Sequence, residues 1–219
     1  MTVKIDQKIT GWSVVKPGET DAPKEEAQVV QMHEKIKRPE HLHGSTYKLK
    51  APNIKHALYV SINDIVLNEG TEHEKRAPFE IFINCRDMDN YQWVTALTLV
   101  LSAIFRKGGD VTFIIDELEQ VFDPKGGYFT GGRFVPSLVA EIGIIIKRHM
   151  RSIGLIPEEV MDEGQLAYLE EKKARAMDAD PGDTGYPKSA TLCKACSVKA
   201  VIIDGGCATC LSCGDSKCS

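Results

Sequence analysis

The sequence predicts an α+β fold in which antiparallel strands are followed by packed helices, with a small cysteine-rich module on a flexible linker at the C-terminal end. Three observations support this prediction. Segments with an apolar residue at every second position fill the first part of the body, a helical period replaces them from about residue 89, and six of the seven cysteines lie after residue 192. Strands that precede helices are typical of α+β domains rather than of a parallel doubly wound sheet.

The composition limits the classes of function. A chain of 219 residues can form one domain of ordinary size and a small appendage. Its formal net charge of −4 gives no indication of the positively charged surface that nucleic-acid binding requires. We find no signal-peptide pattern and no apolar run long enough for a membrane span. A cytoplasmic location is therefore expected, where clustered cysteines indicate metal or redox chemistry rather than structural disulfides.

The chain divides into four predicted parts. Residues 1–40 form a polar arm, and residues 41–177 form the α+β domain with an exposed C-terminal helix. Residues 178–190 form a linker with two prolines, two glycines and three aspartates, and residues 191–219 form the cysteine-rich module. A flexible linker of this length has a root-mean-square reach of roughly 20 Å. We therefore expect the module to move relative to the domain.

The predicted strands occupy residues 46–50, 58–67 and 78–84. In the second and third segments apolar residues alternate with other residues, which is the pattern of a strand with one buried face. The sequence Asn68–Glu69–Gly70 provides a turn between these two strands. The order and the short connections predict an antiparallel meander.

The first predicted helix spans residues 89–107, with Asp89 as its N-cap and Gly108–Gly109 at its end. Its polar residues recur at intervals of three or four and are expected to form one stripe that faces the solvent. These residues are Gln92, Thr95, Thr98, Ser102 and Arg106. The rest of this helix is apolar and is predicted to be buried.

Three further helices are predicted at residues 111–122, 136–152 and 157–177, of which the last is highly charged and exposed. Between the first two of these lies a glycine-rich loop, DPKGGYFTGGR. Such a loop can cradle a phosphate, but it lacks the residues of a P-loop and is more often only a mobile connection.

Two pairs of cysteines in the tail have the spacing of metal ligands. Cys193 and Cys196 form one pair, and Cys210 and Cys213 form the other. A gap of two residues lets both thiolates of a pair reach one ion, and the residues between the pairs predict a hairpin. Four thiolates in tetrahedral geometry favour Zn²⁺ over harder cations. The sequence therefore predicts a zinc ribbon that needs its metal in order to fold.

Two tail cysteines, Cys207 and Cys218, are in excess of the four ligands that zinc requires. A mobile dithiol beside a metal centre is suited to thiol–disulfide exchange, which needs an accessible thiolate. Two alternatives remain open from the spacing. Ligands can be exchanged among Cys207, Cys210, Cys213 and Cys218, because Cys207-x-x-Cys210 also has ligand spacing, or all six cysteines are structural.

The ending GGCATCLSCGDSKCS resembles the cysteine-rich C-terminus of adenosylcobalamin-dependent (class II) ribonucleotide reductases. The stretches ALYVSINDI, RAPFEIFINCRDMDNYQWVTALTLVLSAIFRKGGDV and ELEQVFDPKGGYF resemble the TSCPD-type domain that precedes this tail in those enzymes, although the TSCPD tetrapeptide itself is absent here. The resemblance covers about residues 40–219. It is closest to the small subunit of split reductases, in which a larger chain holds the catalytic barrel.

The resemblance implies an oxidoreductase subunit that is inactive alone and acts in deoxyribonucleotide synthesis. Its partners would be a large catalytic chain, which carries the adenosylcobalamin, and a thioredoxin-like or other dithiol reductant. The redox pair, taken as Cys207 and Cys218, would relay electrons to the active-site disulfide of the catalytic chain. Two alternatives are a purely structural assembly subunit and a zinc-ribbon module that binds nucleic acid. The second is disfavoured because residues 190–219 contain no aromatic residue for stacking on bases.

Overall fold

The computed structural model describes residues 29–52, 54–84, 86, 91–157 and 161–218. Residues 31–219 belong to one compact unit, and the account below concerns its described part. The unit contains a three-stranded sheet, four helices, a short hairpin and a second sheet of four strands near the C-terminus. This arrangement confirms the predicted α+β class. Among the described residues, no helix is long and apolar enough to cross a membrane.

The first sheet contains β1 (His43–Leu49), β2 (Leu58–Leu67) and β3 (Lys75–Asn84), paired antiparallel in the order β1–β2–β3. The predicted meander is therefore confirmed. Strand β3 begins three residues before its predicted start at Pro78, because that proline lies beside a register shift at Asn63/Asp64. A bulge tolerates a residue without an N–H group, so pairing continues past the proline.

Helix α1 (Tyr91–Lys107) lies against β3, and Gly108 and Gly109, with φ values of 81° and 78°, follow its last residue. The predicted N-cap Asp89 lies outside the described residues. The predicted orientation of the polar stripe is wrong, because Thr98 and Ser102 are buried.

The hydrogen bonds of Ser102 explain this orientation. Its Oγ accepts a bond from the backbone N–H of Ile81 at 3.1 Å and donates one to the carbonyl of the same residue at 3.3 Å. Ile81 belongs to β3, the edge strand of the sheet. Buried backbone groups need hydrogen-bond partners, and the inward serine supplies them where a fourth strand would otherwise pair. The opposite face of α1, although apolar, is left exposed.

Replacing Ser102 with alanine is expected to destabilise the domain by about 1–3 kcal/mol, because the buried N–H of Ile81 loses its partner. Thr95→Ala is the matched control, since the Thr95 hydroxyl donates only to the Tyr91 carbonyl of its own helix. Its effect on the free energy of unfolding should stay within about 0.5 kcal/mol. Urea unfolding of both variants measures the difference, and equal effects would contradict the bridging role of Ser102.

The remaining elements of the body are α2 (Phe113–Glu119), β4 (Tyr128–Thr130), β5 (Arg133–Val135) and α3 (Leu138–Ser152). Helix α2 ends three residues earlier than predicted, and Phe122, the last residue of the predicted helix, is exposed. The glycine-rich loop is largely the β4–β5 hairpin, whose turn contains two glycines with positive φ. Ser137 caps α3 by accepting from the N–H of Ala140 at 3.0 Å.

Helix α3 is joined to the sheet by a buried polar network around Asp64, whose side chain is fully buried. One oxygen of Asp64 lies 2.8 Å from Nε2 of His149, and the other accepts from Arg76 at 2.8 Å. The second ring nitrogen of His149 lies 2.9 Å from the hydroxyl of Tyr47. Around this network, apolar residues from the sheet and from α1, α2 and α3 form the main core.

Residues 31–42, which were predicted to lie in the polar arm or at the edge of the domain, pack against the body. Met32, Ile36 and Leu42 contact a second apolar cluster at the far end of β2 and β3. The Arg38 guanidinium binds both carboxylate oxygens of Glu80, at 2.9 and 3.0 Å. This hydrogen bond holds the pKa of Glu80 below its usual value. Residues 1–28 of the predicted arm lie outside the described residues.

Helix α4 (Glu163–Ala179) begins at its N-cap Asp162 and extends two residues into the predicted linker. The rest of the linker carries contacts of its own. The carboxylate of Asp180 accepts from the backbone N–H of Ser189 at 2.7 Å, and Pro187 and Ala190 are buried. In this arrangement the segment follows a defined path between α4 and the cysteine-rich module.

Candidate metal and dithiol site

The cysteine-rich module is a four-stranded antiparallel sheet. Its strands are β6 (Thr191–Leu192), β7 (Lys199–Asp204), β8 (Cys207–Cys210) and β9 (Ser216–Cys218), in the order β6–β7–β8–β9. The predicted hairpin is formed by β7 and β8, whose two-residue turn, Gly205–Gly206, has φ values of 60° and 83°. Positive φ at both turn positions matches the twist of a tight hairpin. The short outer strands β6 and β9 were not predicted.

The two cysteine pairs occupy two loops that share the same backbone hydrogen bond and the same positive φ after the second cysteine. In the first loop the N–H of Ser197 donates to the carbonyl of Cys193 at 3.0 Å, and in the second the N–H of Gly214 donates to the carbonyl of Cys210 at 3.0 Å. Ser197 and Gly214 both adopt positive φ, at 58° and 76°. Glycine takes this conformation without strain. Gly214 therefore closes the second loop without strain, and Ser197 has the same position in the first loop.

These loops bring four sulfur atoms together, those of Cys193, Cys196, Cys210 and Cys213, all within 4.8 Å of one another. The Cys193–Cys213 and Cys196–Cys210 sulfur pairs are separated by 3.8 and 3.7 Å. Zn–S bonds of about 2.3 Å at tetrahedral angles place sulfur atoms about 3.8 Å apart. The four cysteines predicted as ligands are thus positioned to bind a metal ion, and the geometry and the thiol donors are compatible with zinc.

Burial makes ionisation of two of these thiols unfavourable in the absence of a cation. It raises the pKa of Cys210 and that of Cys213 above the usual value for a thiol. Neighbouring sulfur atoms also raise the pKa of Cys213, because charges of the same sign cannot easily share a site. A divalent cation reverses this preference, since a coordinated thiol loses its proton. At Cys210 and Cys213 the surroundings therefore favour the thiolate chiefly when a metal is bound.

The remaining two tail cysteines are joined to each other. Cys207 on β8 lies directly opposite Cys218 on β9, and the two form a disulfide. Cys218 is exposed and Cys207 is half-buried, so this bond lies at an accessible edge of the sheet. The sequence pattern did not predict β9, which pairs Cys218 with β8. The ligand-exchange alternative requires Cys207 or Cys218 to replace a member of the four-sulfur cluster. In this structure neither of them belongs to that cluster.

The module is docked on the body through the β4–β5 hairpin. The N–H of Phe134 donates to the carbonyl of Ser197 at 2.7 Å, and the N–H of Lys199 donates to the carbonyl of Gly132 at 2.7 Å. Between them, Arg133 and Val198 form an antiparallel bridge. The glycine-rich segment therefore adds a short strand to the first cysteine loop. This interaction could not be predicted from the sequence, because backbone pairing leaves no side-chain signature.

Helix α4 also packs on the module. Lys172 forms an ion pair with Asp204 at 3.1 Å, and its side chain lies 4.8 Å from the ring centre of Tyr168. Ala176 and Tyr186 contact the apolar cluster that surrounds the buried sulfur atoms. The helix predicted as an exposed end of the domain thus covers one side of the metal site.

A family described as the TSCPD domain matches residues 28–150, which is more than half of the chain. No curated protein and no solved structure matches this chain.

Proposed function

Since this chain belongs to the TSCPD domain family, which is found in class II ribonucleotide reductases, we propose that it is the accessory subunit of a split adenosylcobalamin-dependent reductase. In this proposal a larger catalytic chain carries the cobalamin, and the tail described here returns electrons to its active site. The observation that carries the proposal is the Cys207–Cys218 disulfide, which is separate from the four-sulfur cluster.

The two groups of cysteines differ in how accessible they are to an external thiolate, and a relay requires this difference. Buried thiolates around a metal are protected from exchange, whereas a disulfide at an accessible edge can be attacked by an external thiolate. In the reduced state, one thiolate of the pair would attack the active-site disulfide of the catalytic chain. The second thiolate would then resolve the mixed disulfide. Two electrons pass to the catalytic chain, and the disulfide left on the tail is reduced by a thioredoxin-like or other dithiol reductant in the cytoplasm.

We propose zinc as the metal held by the four other cysteines. Zinc has no redox chemistry of its own, so its contribution is structural. Cys210 belongs both to the four-sulfur cluster and to β8, the strand that carries Cys207. A metal at the cluster would therefore hold β8 in the register that places Cys207 opposite Cys218. The role of the ion would be to keep the redox pair aligned.

Delivery of electrons requires the tail to reach a buried site on the catalytic chain. A tether raises the effective concentration of the dithiol there, to millimolar values for short flexible linkers. For the module to swing about residues 178–190, it must first separate from both α4 and the β4–β5 hairpin. We therefore propose that the docked arrangement is a resting position, which the module leaves when it meets the catalytic chain.

Replacing Cys218 with serine in the reconstituted complex tests the relay. We expect sustained turnover with a protein reductant to be lost, because the tail can no longer form or transfer a disulfide. The yield of a single turnover and the zinc content should be retained. Cys85→Ser, which changes the one cysteine outside the tail, is the control and should turn over normally. If Cys218→Ser and Cys207→Ser both sustain turnover, the chain is an assembly subunit and the relay is wrong.

A further inference from the structure

Helix α1 presents an apolar stripe to the solvent. Its apolar members recur at intervals of three and four residues, at Trp93, Ala96, Val100 and Ala103, and the charged Lys107 ends the stripe. Trp93 is 71% exposed and Val100 is 58% exposed. This spacing is that of the a and d positions of a coiled-coil seam. An exposed apolar face of this kind indicates an interaction site, and another helix is a surface whose side chains can interlock with it.

A hollow of about 500 Å³ lies beside the C-terminal half of the same stripe. Its lining residues are Glu34, Val100, Ala103, Ile104, Arg106 and Lys107. Trp93, the largest projecting side chain of the stripe, lies toward the opposite end of the helix. One helix face therefore carries both a projecting indole and a hollow that can accommodate an indole.

We propose that the stripe binds a second copy of this chain, with the two α1 helices antiparallel. A two-fold axis near residue 98 places Trp93 of each copy opposite Ala103 of the other, so each indole enters the hollow of the opposite copy. The same axis places Ala96 opposite Val100, and small residues at these positions let the helices approach closely. Such self-complementarity is the property of an isologous interface.

Charge also favours the antiparallel arrangement of two copies. The last turn of α1 contains Arg106 and Lys107, and its first turn contains no acidic residue. A parallel pair would bring these cations together without compensation. In the antiparallel pair the two Lys107 residues are separated by about 27 Å along the helix axis. Each instead lies near the indole of the other copy, where a cation and an aromatic face attract one another.

The size of the stripe predicts a reversible dimer. Helix α1 has 17 residues and is therefore about 25 Å long. One helix face of this length is smaller than the roughly 800 Å² that each partner contributes to a standard interface. We expect association at micromolar concentrations of the chain. The zinc cluster and the tail dithiol lie outside the stripe, so self-association and the relay can fail independently.

Sedimentation of the full chain over a concentration series tests the pairing. The wild type should show a monomer–dimer equilibrium, and Val100→Glu and Trp93→Ala should each weaken it at least tenfold. Phe122→Glu is the matched control, since Phe122 is 73% exposed but lies outside α1, and it should dimerise like the wild type. A chain that stays monomeric at every concentration would overturn the proposal. A second contradicting result would be a wild-type chain that stays monomeric and a Val100→Glu variant that no longer binds the catalytic chain. The stripe would then belong to the interface with the catalytic chain.

Cross-linking distinguishes the two helix orientations, with Cys207 and Cys218 replaced by serine so that the tail does not react. A mixture of Ala96→Cys and Val100→Cys chains should form a disulfide between copies on oxidation. Lys107→Cys alone should form none, since antiparallel helices hold these positions far apart. Efficient linkage of Lys107→Cys would indicate a parallel pair and would contradict the proposed arrangement.

Discussion

Replacement of Cys210 with serine is expected to unfold the C-terminal module and leave the body folded. Cys210 is fully buried, and the other buried apolar residues in its cluster are Cys193, Ala200 and Leu211, with a few half-buried apolar residues packed around them. So small an apolar core cannot offset the entropy of ordering the chain. Structural zinc sites contribute about 10–16 kcal/mol of apparent binding free energy at pH 7. Loss of a ligand therefore removes most of what stabilises the module.

The measurements for Cys210→Ser are the zinc content per chain and the proteolytic sensitivity of residues 191–218. We expect less than one zinc per chain and rapid cleavage, and a chelator should have the same effect on the wild type. Cys207→Ser is the matched control, because it removes a cysteine from the same strand but outside the cluster. Retention of zinc by Cys210→Ser together with its loss from Cys207→Ser would instead support the exchanged set of ligands.

Replacement of Asp64 with alanine is expected to destabilise the body by about 3–5 kcal/mol, because hydrogen bonds to a charged group contribute about 1.5–3 kcal/mol each and Asp64 forms them with two partners. The carboxylate of Asp64 is fully buried and contacts both Arg76 and His149, and the side chain of His149 is only 1% exposed. The loss of Asp64 leaves a buried ring nitrogen without its partner. Arg76 is 39% exposed and can be partly rehydrated, so most of the loss is expected at His149.

The free energy of unfolding in urea measures the effect of Asp64→Ala. Its control is Glu171→Ala, which breaks the ion pair between Glu171 and Arg175 on the surface of α4. Exposed pairs of this kind contribute about 0.3–0.5 kcal/mol, so this variant should unfold almost as the wild type does. An effect of Asp64→Ala no larger than that of Glu171→Ala would show that the buried network adds nothing to stability.

Local patterns predicted the sheet of the body and the grouping of four cysteines. The period of β2 determines which of its side chains are buried, because neighbouring residues of a strand point to opposite faces. The spacing within Cys193-x-x-Cys196 and Cys210-x-x-Cys213 similarly determines that each pair can share an ion. Both features depend on a few consecutive residues, so they can be inferred before the fold is known.

The orientation of α1 depended on the tertiary structure. The helix has apolar residues on both sides, so its period could not show which side is buried. The polar residues Thr98 and Ser102 face inward because the edge strand β3 needs hydrogen-bond partners for its backbone. That requirement arises from residues about 20 positions away in the chain. As a consequence, the stripe with Trp93 and Val100 faces outward.

In the tail, too, some features follow from the local sequence and others only from the tertiary structure. The sequence by itself determined that six cysteines share one module and that two are in excess of the four ligands of a zinc ion, but it left open which four are the ligands. Only the tertiary structure decided that Cys207 lies opposite Cys218, because the register of β8 and β9 sets which side chains are neighbours. It also decided where the module docks, since the contact with the β4–β5 hairpin consists of backbone hydrogen bonds. Backbone groups are the same in every residue except proline, so their pairing is determined by the folded geometry.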